Sequence, residues 1–194
     1  MTPDFLKKLF KKSALALGVV SPAVPADLPN VGAKGEFRAR IIDVDGTVLE
    51  DFKLGNAATY EGLNSLLNTG FRGVTQITTY YCYPINGSGF SAVSVNDTAA
   101  SHSGWTELTS YSESVRQTWS PGAASAGVIT NSTAMSFTIN TSTVSIQGIA
   151  IQTTNTKSST SGVLWATAVD SSARTLTNGQ TFQVYYTVTL TPIS

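Results

Sequence analysis

Few residues of this chain carry groups able to do chemistry. His102, its one imidazole, stands in Ser101-His102-Ser103 with Asp97 and Glu107 nearby. Those are the residue types of a Ser-His-Asp hydrolase, in which the imidazole takes the serine proton and a carboxylate orients the ring. The nucleophile-elbow signature G-x-S-x-G is missing, because Ser88 in Gly87-Ser88-Gly89 has the glycines but not their spacing. His102 therefore reads as a structural histidine beside Trp105. Cys82 lies in the run Tyr80-Tyr81-Cys82-Tyr83 and reads as a small buried hydrophobe rather than a reactive thiol. One cysteine and one histidine exclude an intramolecular disulfide, a cysteine-rich zinc site and a multi-histidine metal site.

The acidic and aromatic residues offer other chemistries. Asp43, Asp45, Glu50 and Asp51 suggest calcium, yet Asp43-Val44-Asp45-Gly46 lacks the rest of an EF-hand loop and is explained more simply as a hairpin turn. Asp97, Glu107 and Glu113 hold carboxylates for glycoside hydrolysis, a mechanism set by separations of about 5–9 Å that a sequence does not fix. Trp105, Tyr111 and Trp119 are candidate platforms for stacking on sugars or bases. Aromatic residues beside glycine-rich loops more often close a sandwich core or fill a subunit interface. No catalytic, cofactor-binding or metal-ligating residue is assigned, and no cofactor and no enzymatic activity are expected.

These residues sit on an unusually uncharged framework. Of 194 residues only 12% are charged, with 12 Lys and Arg against 12 Asp and Glu, about half the usual fraction. The balance argues against a sequence-independent nucleic-acid binder, which needs clustered cations to neutralise phosphates. From Thr75 onward the only charges are Asp97, Glu107, Glu113, Arg116, Lys157, Asp170 and Arg174. Ser and Thr, roughly a quarter of the chain, replace them and alternate with apolar residues, a β-rich pattern rather than a disordered one.

The elements follow from that patterning. Residues 4–20 place Phe5, Leu6, Leu9, Phe10 and Leu17 near one helical face beside Lys7, Lys8, Lys11 and Lys12. A signal peptide, a membrane-surface helix and a docking arm all fit, and the docking arm is the preferred reading. The apolar run is shorter than the ~20 residues that cross a bilayer, so a spanning helix is not expected, and with the docking arm preferred no membrane partner is expected. Pro22, Pro25 and Pro29 make the following stretch an extended linker. Residues 1–33 thus form an N-terminal arm, and residues 34–194 a single domain.

In that domain, Glu36–Asp43 and Thr47–Leu54 make a hairpin around Asp45-Gly46. Tyr60, Leu63, Leu66 and Leu67 mark one short helix, with Thr59 as N-cap and Gly70 as its stop. Strands are predicted over Gln76–Ile85, Thr133–Asn140, Thr143–Thr154, Val163–Asp170 and Thr181–Pro192. In the last, Phe182, Val184, Tyr186, Val188 and Leu190 fall on one face. The segment from Asn86 to Gly127 is long for a loop and is expected to have a task or to contact a neighbour. The expected fold is mainly β, an antiparallel β-sandwich with one short helix and an extended N-terminal arm.

The order Lys34-Gly35-Glu36-Phe37, Val44-Asp45-Gly46, Glu61-Gly62-Leu63-Asn64-Ser65-Leu66-Leu67, Gly87-Ser88-Gly89-Phe90, the stretch Asn96 to Glu107, and Asn178-Gly179-Gln180-Thr181-Phe182 resembles small virion proteins of tailed bacteriophages. The resemblance spans roughly residues 34–190 and leaves out the arm. It implies a capsid decoration (cement) protein, located in the virion, whose partners are the major capsid protein and further copies of itself in a symmetric oligomer such as a trimer. A tail or head-fibre component is the nearest alternative. A carbohydrate-binding receptor module using Trp105, Tyr111 or Trp119, and a secreted β-sandwich hydrolase with a cleaved signal, are the others. Low charge is a solubility liability for a free monomer, and burial against neighbours removes it.

Overall fold

The computed structural model describes residues 33–191. The expected arm lies outside the described residues except for its last position, and so does Pro192. The described elements are β1 (Ala33–Ile42), β2 (Val48–Gly55), β3 (Ala57–Ala58), α1 (Tyr60–Arg72), β4 (Tyr80–Asn86), β5 (Gln117–Trp119), β6 (Val128–Thr130), β7 (Met135–Thr138), β8 (Thr143–Gln152), β9 (Leu164–Thr177) and β10 (Thr181–Leu190). They form two antiparallel sheets. The first runs β2-β1-β10-β6, with β7 also on β10, and the second runs β3-β9-β8-β4-β5. The expected mainly β sandwich with one short helix is what the described residues form.

The hairpin closes as its residues dictate. Gly46 takes a left-handed φ of 89°, Asp43 and Thr47 close the turn with a 2.8 Å backbone bond, and Asp45 accepts the Thr47 N–H. On β10 the period-two pattern buries Phe182, Val184, Tyr186 and Val188, whereas Leu190 at the strand end stays 49% exposed. Facing them from the second sheet are Cys82, Val144, Ile146, Ile149, Ile151, Ala166 and Ala168. The core positions of β8 change parity between Ile146 and Ile149 because the β8–β9 register shifts at Ile146/Gly148, a bulge that keeps both pairs inward.

Several boundaries differ from the sequence expectation. β4 begins at Tyr80 rather than Gln76, since its partners β5 and β8 reach no further back. β9 continues to Thr177, past the expected end at Asp170, because after the bulge it pairs again with β8 from Arg174. The far side of β10 is shared by β7 over Thr181–Val184 and β6 over Thr187–Thr189. Between the two, the Asn131 side chain accepts the Tyr186 N–H at 2.7 Å, so an amide fills the gap where strand partners change.

The second sheet is buried on both faces. Tyr83, Ile85, Ala150 and Leu164 point away from the core and pack with Ala99 and Trp105. The long segment after β4 therefore has a task, which is to roof this outer face. It is tied down by Asn86 N–H to Thr106 O and Leu108 N–H to Pro84 O, both 2.9 Å.

Candidate interaction surface

Each candidate for chemistry is committed to holding the fold. His102 stacks on Trp105 with ring centroids 4.0 Å apart, and its Nδ1 lies 3.1 Å from the Trp105 carbonyl, so that nitrogen is the donor. Asp97 accepts the Trp105 indole N–H and the Ser94 N–H, both at 2.9 Å. Ser101, His102 and Asp97 thus form no hydrogen-bonded relay. Ser88 is an exposed loop residue whose N–H is held by Asn86. Cys82 is fully buried, and burial pushes its thiol well up, which disfavours the reactive thiolate.

The carboxylates are also engaged. Glu107 pairs with Arg116, both Glu113 oxygens accept the Thr138 N–H, Asp43 accepts from Gln180 and Glu50 pairs with Arg174. Of the aromatic trio, Trp105 and Tyr111 are only 2% and 1% exposed: they close the outer layer and the core, the favoured of the two expectations, and offer no stacking platform. Trp119 is half-buried, its indole N–H shared between Asn131 Oδ1 and Tyr186 O at 3.2 Å each.

His102 and Glu107 do meet at a pocket of about 180 Å³ that Tyr83, Arg116 and Ser158 also line; what else is open to other molecules is surface. The outward side chains of β1 and β2 set Lys34, Arg38, Arg40 and Lys53 against only Glu36 and Asp51. Of these, Glu36, Arg38, Arg40 and Lys53 line a polar trough of about 380 Å³ beside Tyr185 and Thr187. Arg38 Nε donates to Asp51 at 2.8 Å and Arg40 Nε at 3.0 Å. These bonds, that of Arg38 foremost, hold the Asp51 carboxyl down to about 2. A depressed carboxylate contributes stability above its unfolded pKa of roughly 3.9 and loses it as pH falls through the folded value. A carboxyl carbon NMR titration is expected to find Asp51 ionised to about pH 2; an ordinary midpoint near 4 would show that the two arginines do not hold it.

The second surface is apolar and centres on α1. Thr59 caps the helix by accepting the Gly62 N–H and donates its hydroxyl to Leu164 O, while Glu61 accepts the N–H groups of Ala99 and Leu164. These bonds seat the first turn on β9. A Cβ at Gly62 would lie 2.6 Å from Trp165 O, so only glycine permits that approach. The helix runs past the expected stop at Gly70 and ends at Gly73, whose left-handed φ of 67° returns its N–H to Asn68 O.

The consequence is an inverted helix. At 100° per residue, Gly62, Ser65 and Thr69 share the side turned to the domain. The apolar side faces out: Tyr60, Leu66 and Leu67 are about half exposed and Phe71 is 86% exposed. Leu66 also lines an apolar groove of about 200 Å³ with Tyr80, Trp119, Ile129, Trp165, Val188 and Leu190. The sequence pattern shows the apolar stripe but not its direction. The signal that could have given it is the row of small residues Gly62, Ser65 and Thr69, which lets one side of a helix approach a sheet closely. No family model matches this chain, and no curated protein matches it.

Proposed function

We propose that this chain is a non-enzymatic virion structural protein of a tailed bacteriophage, a capsid decoration protein that binds the outer shell surface and stabilises it. The observation that carries the reading is the outward apolar face of α1 and its adjoining groove. Contiguous exposed apolar surface of this extent is costly for a free monomer and marks a contact site. The residue resemblance supplies the virion context. The two surfaces suit the role: a decoration protein needs one contact for its own kind and another for the shell, and the polar trough lies on the opposite face of β10 from the groove-lining Val188.

The test is made on particles. Virions lacking the protein are expected to lose thermal and osmotic stability, and virions carrying it to hold hundreds of copies, as shell symmetry requires. Unchanged particle stability would overturn the cement role. A count of about 3–12 copies, the consequence of axial symmetry, would assign the chain to a tail or fibre.

A further inference from the structure

We propose that the outward face of α1 is the seat of a two-fold contact with a second copy of this chain, the two helices packing antiparallel. This deepens the self-association contained in the reading above, but it is decided on the purified chain rather than on virions.

Three observations select a second copy as occupant. The first is area. The exposed parts of Tyr60, Leu66, Leu67, Phe71, Val74 and Leu190 come to on the order of 600 Å² per copy on the usual areas of such side chains. Two copies then bury about 1,200 Å², the lower bound of specific, stable interfaces.

The second is shape. An isologous contact must be self-complementary, each copy supplying both the projection and the recess. Here Phe71 projects from α1, and the apolar groove lies between Leu66 of the same helix and the strand residues beside it. The third is charge. Glu61 and Arg72 are the charged residues of α1 and stand at its opposite ends. Glu61 is held by the Ala99 and Leu164 N–H groups of its own domain and Arg72 by Asn68, so antiparallel packing opposes no like charges across the contact and aligns the helix dipoles favourably. The apolar stripe between them is uncharged, so no ion is desolvated.

A residue at a two-fold contact counts twice in the binding energy. Phe71→Asp is therefore expected to weaken dimerisation at least about a hundredfold, while leaving circular dichroism unchanged, and Tm unchanged at dilutions where the wild type is monomeric too, because Phe71 touches little of its own domain. Sedimentation velocity on the full chain reads the first effect. Register is read by cross-linking. Leu67 is the midpoint of the face, so Leu67→Cys should form a disulfide-linked dimer on mild oxidation, whereas Tyr60→Cys should not. Cys82 is fully buried and gives no background. A monomer at 100 µM concentration (~100 µM is already a weak interface), a dimer indifferent to Phe71→Asp, or a trimer that Leu67→Cys does not link would each overturn the proposal.

Discussion

Replacing Arg116 by Met is expected to lower stability by about 3–5 kcal/mol, the usual cost of removing one partner of a buried ion pair. At roughly 2–4 °C per kcal/mol for a domain of this size, Tm should fall by about 10 °C. Arg116 and Glu107 side chains are 2% and 4% exposed. Arg116 donates to Glu107 through Nε at 3.1 Å and Nη2 at 2.8 Å. It also donates to Thr154 O at 3.0 Å and Ser159 O at 3.3 Å, and its guanidinium lies 4.0 Å over the Tyr83 ring. Glu107 in turn accepts from the Tyr111 hydroxyl and the Ser158 N–H. The pair thus fastens two loops, the roof after β4 and the segment between β8 and β9, to each other.

Arg116→Met leaves a buried carboxylate without its cation and the Thr154 carbonyl without a donor, while Ser159 O keeps the Gln152 amide. Arg116→Met combined with Glu107→Met removes both charges and should recover part of the loss, but not all of it, because Thr154 O, the Tyr111 hydroxyl and Ser158 N–H lose their partners. Chemical denaturation of the three variants checks this. A single substitution costing less than about 1 kcal/mol, the range of an exposed pair, would show that water reaches the cluster.

That network was not legible in the sequence. Glu107 and Arg116 stand out as two of the few charges after Thr75, but Glu107 invites a catalytic reading until Arg116 is found on it. What was legible were features whose cause is local: the Asp45-Gly46 turn, the Thr59 cap, and the alternation along β10. The rest depends on distant partners. Whether Trp105 is exposed is decided by the outer face of the second sheet, which Ala150 and Leu164 supply from far along the chain, and whether Tyr111 is exposed by the core, where it meets Phe137. The extent of β9 beyond Asp170 depends on Thr143–Ile146 waiting to pair with it. The outward turn of α1 depends on Trp165, which meets Gly62 across about a hundred residues. Charge scarcity takes on a more specific meaning in this light. With few charges to spend, the chain places an ion pair inside to lock its roof and leaves the α1 face free of them, so the same economy that rigidifies one side of the second sheet leaves apolar surface available for contact on α1.

Tyr186→Ala should cost about 3–5 kcal/mol, as for other large aromatic truncations in a core, and Tyr186→Phe about 1–3 kcal/mol from the hydroxyl alone. The ring stacks on Phe37 with centroids 4.2 Å apart and meets Trp119 edge-on at 5.3 Å. Its hydroxyl accepts the Trp165 indole N–H and the Asn56 amide, each at 2.8 Å. Tyr186 belongs to β10 and Trp165 to β9, so this oxygen joins the two sheets through the core, and phenylalanine would leave two donors without an acceptor where water is excluded. Burial pushes the phenol pKa up, and the two donors pull it only part of the way back. For a group raised in this way, the stabilising contribution is complete below the unfolded tyrosine pKa of roughly 10 and is lost as pH rises through the folded value. The wild-type chain should therefore lose stability steeply in alkali, and Tyr186→Phe, starting lower, should lose it with a shallower slope. Denaturant midpoints measured between about pH 8 and 12 separate the two roles of the residue: parallel slopes for wild type and Tyr186→Phe would mean that water reaches the phenol, and a cost of Tyr186→Phe below about 0.5 kcal/mol at neutral pH would mean that its hydroxyl does not join the sheets.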